Sequence, residues 1–403
     1  MKKFSKILLL LLITIYIIIS LTLYKGTRGI DNLAYTIAIG IDKGQSSKFN
    51  ISFQFTKPTS ENNPTSTSTS ASSFVYDVES DTIPTAINLM NSYLSKQVNL
   101  AHCKAIIFSE KVAAKGISEE IYTLINNIQI RPDTPIIISK CKAKKFIENT
   151  EPDLEGSVSQ YYEITPVSNE NTGFTDNVTI GNFYGQLCSD SNEAYAILGN
   201  LNNVEDSKSS DNGSSSEDTT QYKKKPGTET IGLAIFKDDK LIGELDAIEN
   251  ICHLIVTNNL SSTTISVPNP NDSTKSIDLY LYRNKKNKTK LEFINGSPYV
   301  NIDCKLNARI LSVDENKGYT SDKTIEAISN SASRYLEKNI SSYLYKLSKT
   351  YNSDIVGIGN TAIKQFITNK QWDNFNWKNN FQNCFFNVKA SVVVKSGYLL
   401  TET

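Results

Sequence analysis

From Ile7 to Tyr24 the chain runs for eighteen residues without a charge, ILLLLLITIYIIISLTLY. As a helix this stretch extends about 27 Å at ~1.5 Å per residue, close to the thickness of a bilayer core. A helix that is apolar on every side needs cover on every side, so the run is either a membrane segment or a leader removed before folding. It exceeds the usual ~7–15-residue apolar region of a secretory signal, and no A-x-A-like site closes it; Ser20 and Thr22 are a poor substitute. The expectation is a retained transmembrane anchor helix over 7–24. Lys2, Lys3 and Lys6 precede it while Lys25 and Arg28 follow. This slight positive-inside bias places residues 1–6 in the cytoplasm and the bulk of the chain outside.

The remainder is polar. At 403 residues the chain has room for roughly two or three domains. Lys+Arg and Asp+Glu balance at 42 each, so no overall positive field draws nucleic acid. Six cysteines (Cys103, Cys141, Cys188, Cys252, Cys304, Cys384) stand dozens of residues apart with no C-x-x-C pair. That spacing argues against a zinc knuckle or a compact disulfide framework, and the thiols read as small buried hydrophobes. A Cys103–Cys141 bridge stays open, since both flank strand-like runs.

Tyr35, Ile37, Ile39 and Ile41 alternate with Thr36, Ala38, Gly40 and Asp42, the period of a half-buried strand. Phe49–Phe55 repeats the pattern, and KGQSSK between them predicts an antiparallel hairpin. After an exposed polar loop over 58–73 and a short strand, DTIPTAINLMNSYLSK predicts a helix with Thr82 as N-cap, Pro84 in the first turn and Ile83, Ala86, Ile87, Met90 and Leu94 on one face. Helices and strands alternate from there to residue 201. Residues 202–228 hold Val204 as their one aliphatic and Tyr222 as their one aromatic, which predicts a flexible interdomain linker. A second half, 229–403, opens with strands in ETIGLAIFKDDKLIGELD. LIVTN, TISV, IDLYLYR, KLEFI and YVNIDCKLNARILSV then predict further strands of an antiparallel sheet. From Asp322 a stripe through Ile328, Ala332, Leu336, Ile340, Leu344 and Leu347 predicts a helix of more than six turns across that sheet. The last strand lies in NCFFNVKASVVVKSG. The fold class is α+β, with mixed sheets, packed helices and two to three subdomains: an N-terminal α/β domain over 30–201 and a C-terminal sheet-plus-helix domain over 229–403.

Catalytic chemistry is hard to build from these residues. Serine or cysteine nucleophiles need a base, usually histidine, and the chain has two, His102 and His253, both inside apolar patterns that read as buried or half-buried structural positions. No G-x-S-x-G, H-E-x-x-H or Walker sequence is present. GIGN at Gly357–Asn360 reads as a tight turn rather than a phosphate loop. Asp238-Asp239 and Glu119-Glu120 read as solvated, as does the run Lys223-Lys224-Lys225. Trp372 and Trp377 read as packing onto the last strand. No catalytic, cofactor or metal residue is assigned.

Several stretches together resemble the Ger(x)C (GerAC-like) family, the C subunit of bacterial spore germinant receptors. NLAYTIAIGIDKG is similar to its opening strand, and LAHCKAIIFSEKVAAKGISEEIYTLINNIQIRPDTPIIISK to its pattern of a His-containing strand, a Gly before a helix and an Arg before the next strand. ETIGLAIFKDDKLIGELD resembles the hairpin of the second half. YNSDIVGIGNTAIKQF, QWDNFNWKNNF and VKASVVVKSG resemble the closing pattern of Asp with glycines, tryptophans and a last strand. The resemblance implies a non-enzymatic subunit without a cofactor, on the outer face of the spore inner membrane. Its implied partners are a large A subunit and a transporter-like B subunit in a receptor for nutrient germinants. Family members usually carry a lipobox cysteine, and Tyr24 stands at the matching position here, so the thiol that would receive the lipid is missing and a membrane helix is the expected tether. The alternative is an independent ectodomain that captures a small germinant itself, which calls for a deep pocket with converging polar groups.

Overall fold

A computed structural model of the chain describes residues 2–23, 32–56, 73–151, 157–168, 172–202, 227–313 and 321–395. Tyr24, the loop 58–72, most of the expected linker and Lys223–Lys225 lie outside the described residues.

Lys2–Leu23 is a helix of 22 residues, and its described side chains are exposed, Ile7 at 66% and Leu10 at 67% among them. Among the described residues no helix is long and apolar enough to cross a membrane. The side chains of Leu8 and of residues 21–23 are not described, which leaves 9–20 as the longest described run, shorter than the ~20 residues of a full span. The expectation of an anchor over 7–24 is thereby reduced to an apolar helix with no protein cover on its described side chains.

Among the described residues the first sheet has nine strands. Its path runs from β3 (Ser73–Ser80) through β2 (Phe49–Thr56), β1 (Leu33–Lys43), β5 (Ala105–Ser109), β6 (Ile136–Ser139), β7 (Tyr195–Asn202) and β8 (Gly227–Lys237) to β9 (Lys240–Leu245), with β4 (Gln97–Asn99) beside the start of β1. β1, β5, β6 and β7 are parallel, and antiparallel pairs close both sides. The β1–β2 hairpin is as expected. The half-buried reading of β1 is corrected, because Ile37 through Asp42 are all buried. Parallel strands carry crossover helices on their faces. Helix Ala143–Glu148 covers the polar side of β1, where Asp42 accepts from the amides of Ala143 and Lys144 at 2.9 Å each. Gly40 lets that helix approach, since a Cβ there would lie 2.7 Å from Ile147 Cδ1.

The domain boundary expected at 202–228 does not divide this sheet. Asn202 pairs with Gly227, so the polar segment joins two paired antiparallel strands, and β8 and β9 belong to the first sheet. A composition shift marks a solvated loop equally well at a hairpin end or between domains, and only strand pairing separates the two cases. The strand expected at LIVTN is also corrected: Ala247–Val256 is a helix with a capping box between Asp246 and Glu249. Every residue from Asn250 to Val256 is buried, so no amphipathic stripe shows and the run imitates an interior strand.

The second sheet takes the order β10 (Ser262–Pro268), β11 (Ser276–Arg283), β13 (Ser297–Val313), β12 (Lys288–Ile294), with β14 (Phe385–Lys395) pairing β13 in parallel. The long helix Asp322–Tyr345 buries Ile328, Ala332, Leu336, Ile340 and Leu344 and continues into a π turn over Lys346–Tyr351. Its polar residues close the outer edge of β14. Ser329 Oγ, Ser333 Oγ and Glu337 Oε1 accept from the amides of Val394, Val392 and Ala390 at 3.3, 3.0 and 3.0 Å. One row of a helix, at spacings of four, thus meets every second amide of a strand, and an edge that would otherwise invite pairing is satisfied. Glu337→Ala is expected to lower unfolding free energy by about 1–3 kcal/mol, the cost of leaving the buried Ala390 amide without a partner. Urea unfolding of the variant beside the parent measures it.

Candidate functional site: the polar junction between the two sheets

The first sheet and the second half meet through two groups of buried polar side chains. In the first, Asp176 sits in the loop ahead of helix Ile180–Leu187 and accepts from the Tyr195 hydroxyl of β7 at 3.0 Å. His253, on helix Ala247–Val256, is fully buried; its Nδ1 lies 2.7 Å from the Tyr343 hydroxyl and its Nε2 faces Asp176 Oδ2 at 3.9 Å. Its ring packs edge-on to Tyr195 at 4.8 Å. Asn250, one turn earlier, donates to the Gly173 carbonyl at 2.8 Å. Burial pushes the His253 pKa down to about 4, against the pull of Asp176, so the imidazole is neutral near pH 7. Burial likewise holds the Tyr343 hydroxyl well above its ordinary value.

The second group centres on Asp354, 2% exposed, at the start of the loop that follows the π turn. Its Oδ1 accepts from the amides of Gly357 and Ile358 at 2.9 and 3.1 Å, and its Oδ2 from the amide of Gly359 at 2.7 Å and from Trp377 Nε1 at 2.9 Å. The tight turn expected at GIGN is present, with Gly357 at φ +78°, a left-handed conformation that favours glycine. Gly359 is needed for closeness, because a Cβ there would meet the Ser191 carbonyl and the Trp377 ring. Trp377 is stacked on Trp372 with ring centroids 5.9 Å apart, so both tryptophans are core residues. Burial pushes the Asp354 carboxyl up to about 6 against the four donors.

Beside this loop, Glu193 is 1% exposed and holds Lys237 Nζ at 2.9 Å and Lys378 Nζ at 3.3 Å. Lys237 Nζ also donates to the carbonyls of Asn352 and Lys378, both at 2.8 Å. The Glu193 amide donates to the Asp354 carbonyl at 2.9 Å, and Ser353 Oγ to the Phe236 carbonyl at 2.7 Å. β7, β8 and the Asp354 loop are therefore fastened by charged and backbone contacts in a dry setting, where each bond resists exchange with water.

The other residues singled out from sequence take these places. His102 is corrected from buried to exposed: it lies in a turn just before β5, against the Tyr35 ring at 4.8 Å. Glu120 is corrected from solvated to buried, with Lys48 pairing it at 2.9 Å and also meeting exposed Glu119 at 3.1 Å. Asp238-Asp239 forms the β8–β9 turn, where Asp239 accepts from the Ser118 hydroxyl at 2.8 Å. All six cysteines are free, which closes the Cys103–Cys141 alternative. Burial raises the Cys103 and Cys304 thiols to about 12. Sequence reasoning missed Asp176, Glu193, Tyr195, Tyr343 and Asp354 as one constellation. An Asp three residues before G-x-G was the one available signal.

Among the described residues, clefts of about 220, 430 and 350 Å³ open on the surface, and neither buried group lines these. In the first, Lys104 is held by Glu163 at 3.2 Å and Arg131 by Asp133 at 2.6 Å, so its charges are already matched internally. Among the described residues no three His, Cys, Asp or Glu side chains gather to hold a metal ion. The junction's geometry is that of a mechanical fastening.

Asp354, Gly357, Gly359, Trp377, Lys237 and Lys378 fall on the stretches that carried the family resemblance, whereas Asp176, Glu193, Tyr195, His253 and Tyr343 lie outside them. The spore germination protein N-terminal domain family matches residues 26–199, and the spore germination B3/GerAC-like C-terminal family matches residues 231–397. This chain belongs to the GerAC-like spore germination family. It is 21% identical over 308 residues to spore germination protein GerQC of Bacillus cereus, covering 75% of this chain and 77% of that one. It is 23% identical over 381 residues to spore germination protein KC of Bacillus subtilis (strain 168), covering 90% and 89%. The crystal structure of the GerBC protein shares the fold, with a TM-score of 0.53 at 16% identity, covering 88% of this chain and 96% of that one.

Two expectations follow for this GerAC-like chain. Asp354→Ala leaves three backbone amides and an indole N–H unpaired, so urea unfolding should show a loss of about 3 kcal/mol or more. His253 has a folded pKa near 4 against 6.5 for the free side chain, so the unfolded chain binds more protons between those values. Its contribution is full above pH 6.5 and is lost as pH falls toward 4. Asp354, raised from 3.8 to about 6, acts in the opposite sense, losing stability as pH rises through that window. The difference between parent and His253→Gln isolates the histidine and should shrink by about 3 kcal/mol between pH 7 and pH 4.

Proposed function

We propose that this chain is the C subunit of a nutrient germinant receptor at the spore inner membrane. It works through protein contacts with an A subunit and a transporter-like B subunit, without chemistry of its own. The observation that supports this reading most directly is the ordered match of both family domains, 26–199 and 231–397, across most of the chain. A rigidly fastened pair of sheets with internally matched charges suits a scaffold that presents surfaces to partners.

The membrane tether in this reading is the N-terminal helix. The uncharged run from Ile7 to Tyr24 is long enough for a span, and the described part of helix Lys2–Leu23 leaves its leucines and isoleucines uncovered. A bilayer is the cover that fits an all-round apolar helix, and with Tyr24 in place of a lipobox cysteine it replaces acyl chains. Positive-inside bias leaves both sheets on the outer face.

Affinity capture of this chain from detergent-solubilised spore membranes is expected to bring down A-type and B-type subunits, and deletion should impair germination on at least one nutrient. A deletion strain that germinates normally on every nutrient would sink the receptor assignment. Intact mass of the membrane-extracted chain tests the tether separately. The expected mass keeps the N-terminal segment without a diacylglycerol; loss of residues 1–22 or so, or an added lipid, overturns it.

A further inference from the structure

The two ends of the first sheet have opposite character. At the far end, where β1 finishes, the turn after Lys43 is polar and self-bonded: Glu79 accepts from the amides of Gln45 and Ser46 at 2.9 Å, and Lys48 reaches Glu119 and Glu120. At the near end, where β1 begins at Leu33 and the parallel β5 and β6 also begin, large apolar side chains project into solvent. Tyr93 closes helix Ile83–Tyr93 just ahead of β4 and is 71% exposed. Ile128, in the loop ahead of β6, is 101% exposed, and its neighbour Gln129 accepts from the Leu100 amide at 2.9 Å, which holds that loop beside β4. A fully exposed isoleucine held out on a fastened loop gains nothing within the chain.

Chain connectivity says what lies opposite this end. Helix Lys2–Leu23 ends nine Cα steps before Asn32, so even a fully extended connection reaches only about 30 Å. β1 itself is 11 residues long, about 36 Å at ~3.3 Å per residue, so the near end is held close to the helix and the far end is carried away. Resting on the reading that this helix is a membrane anchor, we propose that the near end of the first sheet docks on the bilayer surface, with Ile128 and Tyr93 entering the headgroup boundary. Tyrosine suits that depth, with its ring among acyl carbons and its hydroxyl among headgroups. Among the described cations at this end, Lys104 and Arg131 are matched by Glu163 and Asp133, and Lys96 is exposed. The contact is therefore apolar, and vesicles of phosphatidylcholine suffice for it. Docking would fix the orientation of the ectodomain on the membrane rather than leave it swinging on its tether.

The test uses the full chain in phosphatidylcholine vesicles with and without brominated acyl chains, which quench tryptophan emission on contact. Single tryptophans replace Ile128, Tyr93 and, at the far end, the exposed Gln45; the buried Trp372 and Trp377 give a background read from the parent. Ile128→Trp and Tyr93→Trp should lose most of their added emission in brominated vesicles, unchanged by salt, while Gln45→Trp keeps its own. Co-flotation with no quenching at residues 128 and 93, or equal quenching at all three positions, overturns the docking and leaves the anchor standing. Failure of the chain to float with vesicles overturns the anchor and the docking together.

Discussion

One carboxylate, Asp354, gathers three consecutive backbone amides and an indole N–H in a place with almost no water. A buried acid is tolerable only when its lone pairs are filled, and four donors fill them. The same bonds give the loop its shape, so that its backbone can lie against Ser191 and β8. Gly359 supplies the clearance, and Trp377 carries the constraint into the aromatic core beneath β14. The second half is thus pinned to the first sheet by a loop whose conformation depends on one side chain.

That pinning explains why the chain's two family segments do not act as two separate bodies. β8 and β9 come from the second segment but complete the first sheet, and helix Ala247–Val256 then carries His253 and Asn250 back against the Asp176 loop. Glu193 with its two lysines adds a buried charge cluster at the same seam. Replacing such clusters with apolar residues is often neutral for stability, but removing one partner is not, so they favour one arrangement of the halves over others.

Much of the fold was legible because local patterns recorded burial. Thr82 caps its helix as expected, the β1–β2 hairpin has its expected pairing, and the stripe from Ile328 to Leu344 faces the core. Legibility failed where burial was complete. Ala247–Val256 shows no periodicity because all sides are covered, and β1 reads as half-exposed because small and polar residues line the side that a helix conceals. The candidate site was less legible still. Asp176, the pair Glu193 and Tyr195, His253, Tyr343 and Asp354 come from separate stretches of the chain, and of these only Asp354, just ahead of G-x-G, has a spacing that signals its partners.

By itself the sequence determined the uncharged N-terminal run, the helical and strand periods and the family pattern, all of which depend on residues near one another in the chain. Only the tertiary structure decided that the strands on either side of the polar segment after Asn202 pair in one sheet, that His102 is exposed while Glu120 is buried, and that Asp354 holds the halves together. Strand pairing and burial are agreements between distant residues, and a linear pattern records only one side of each.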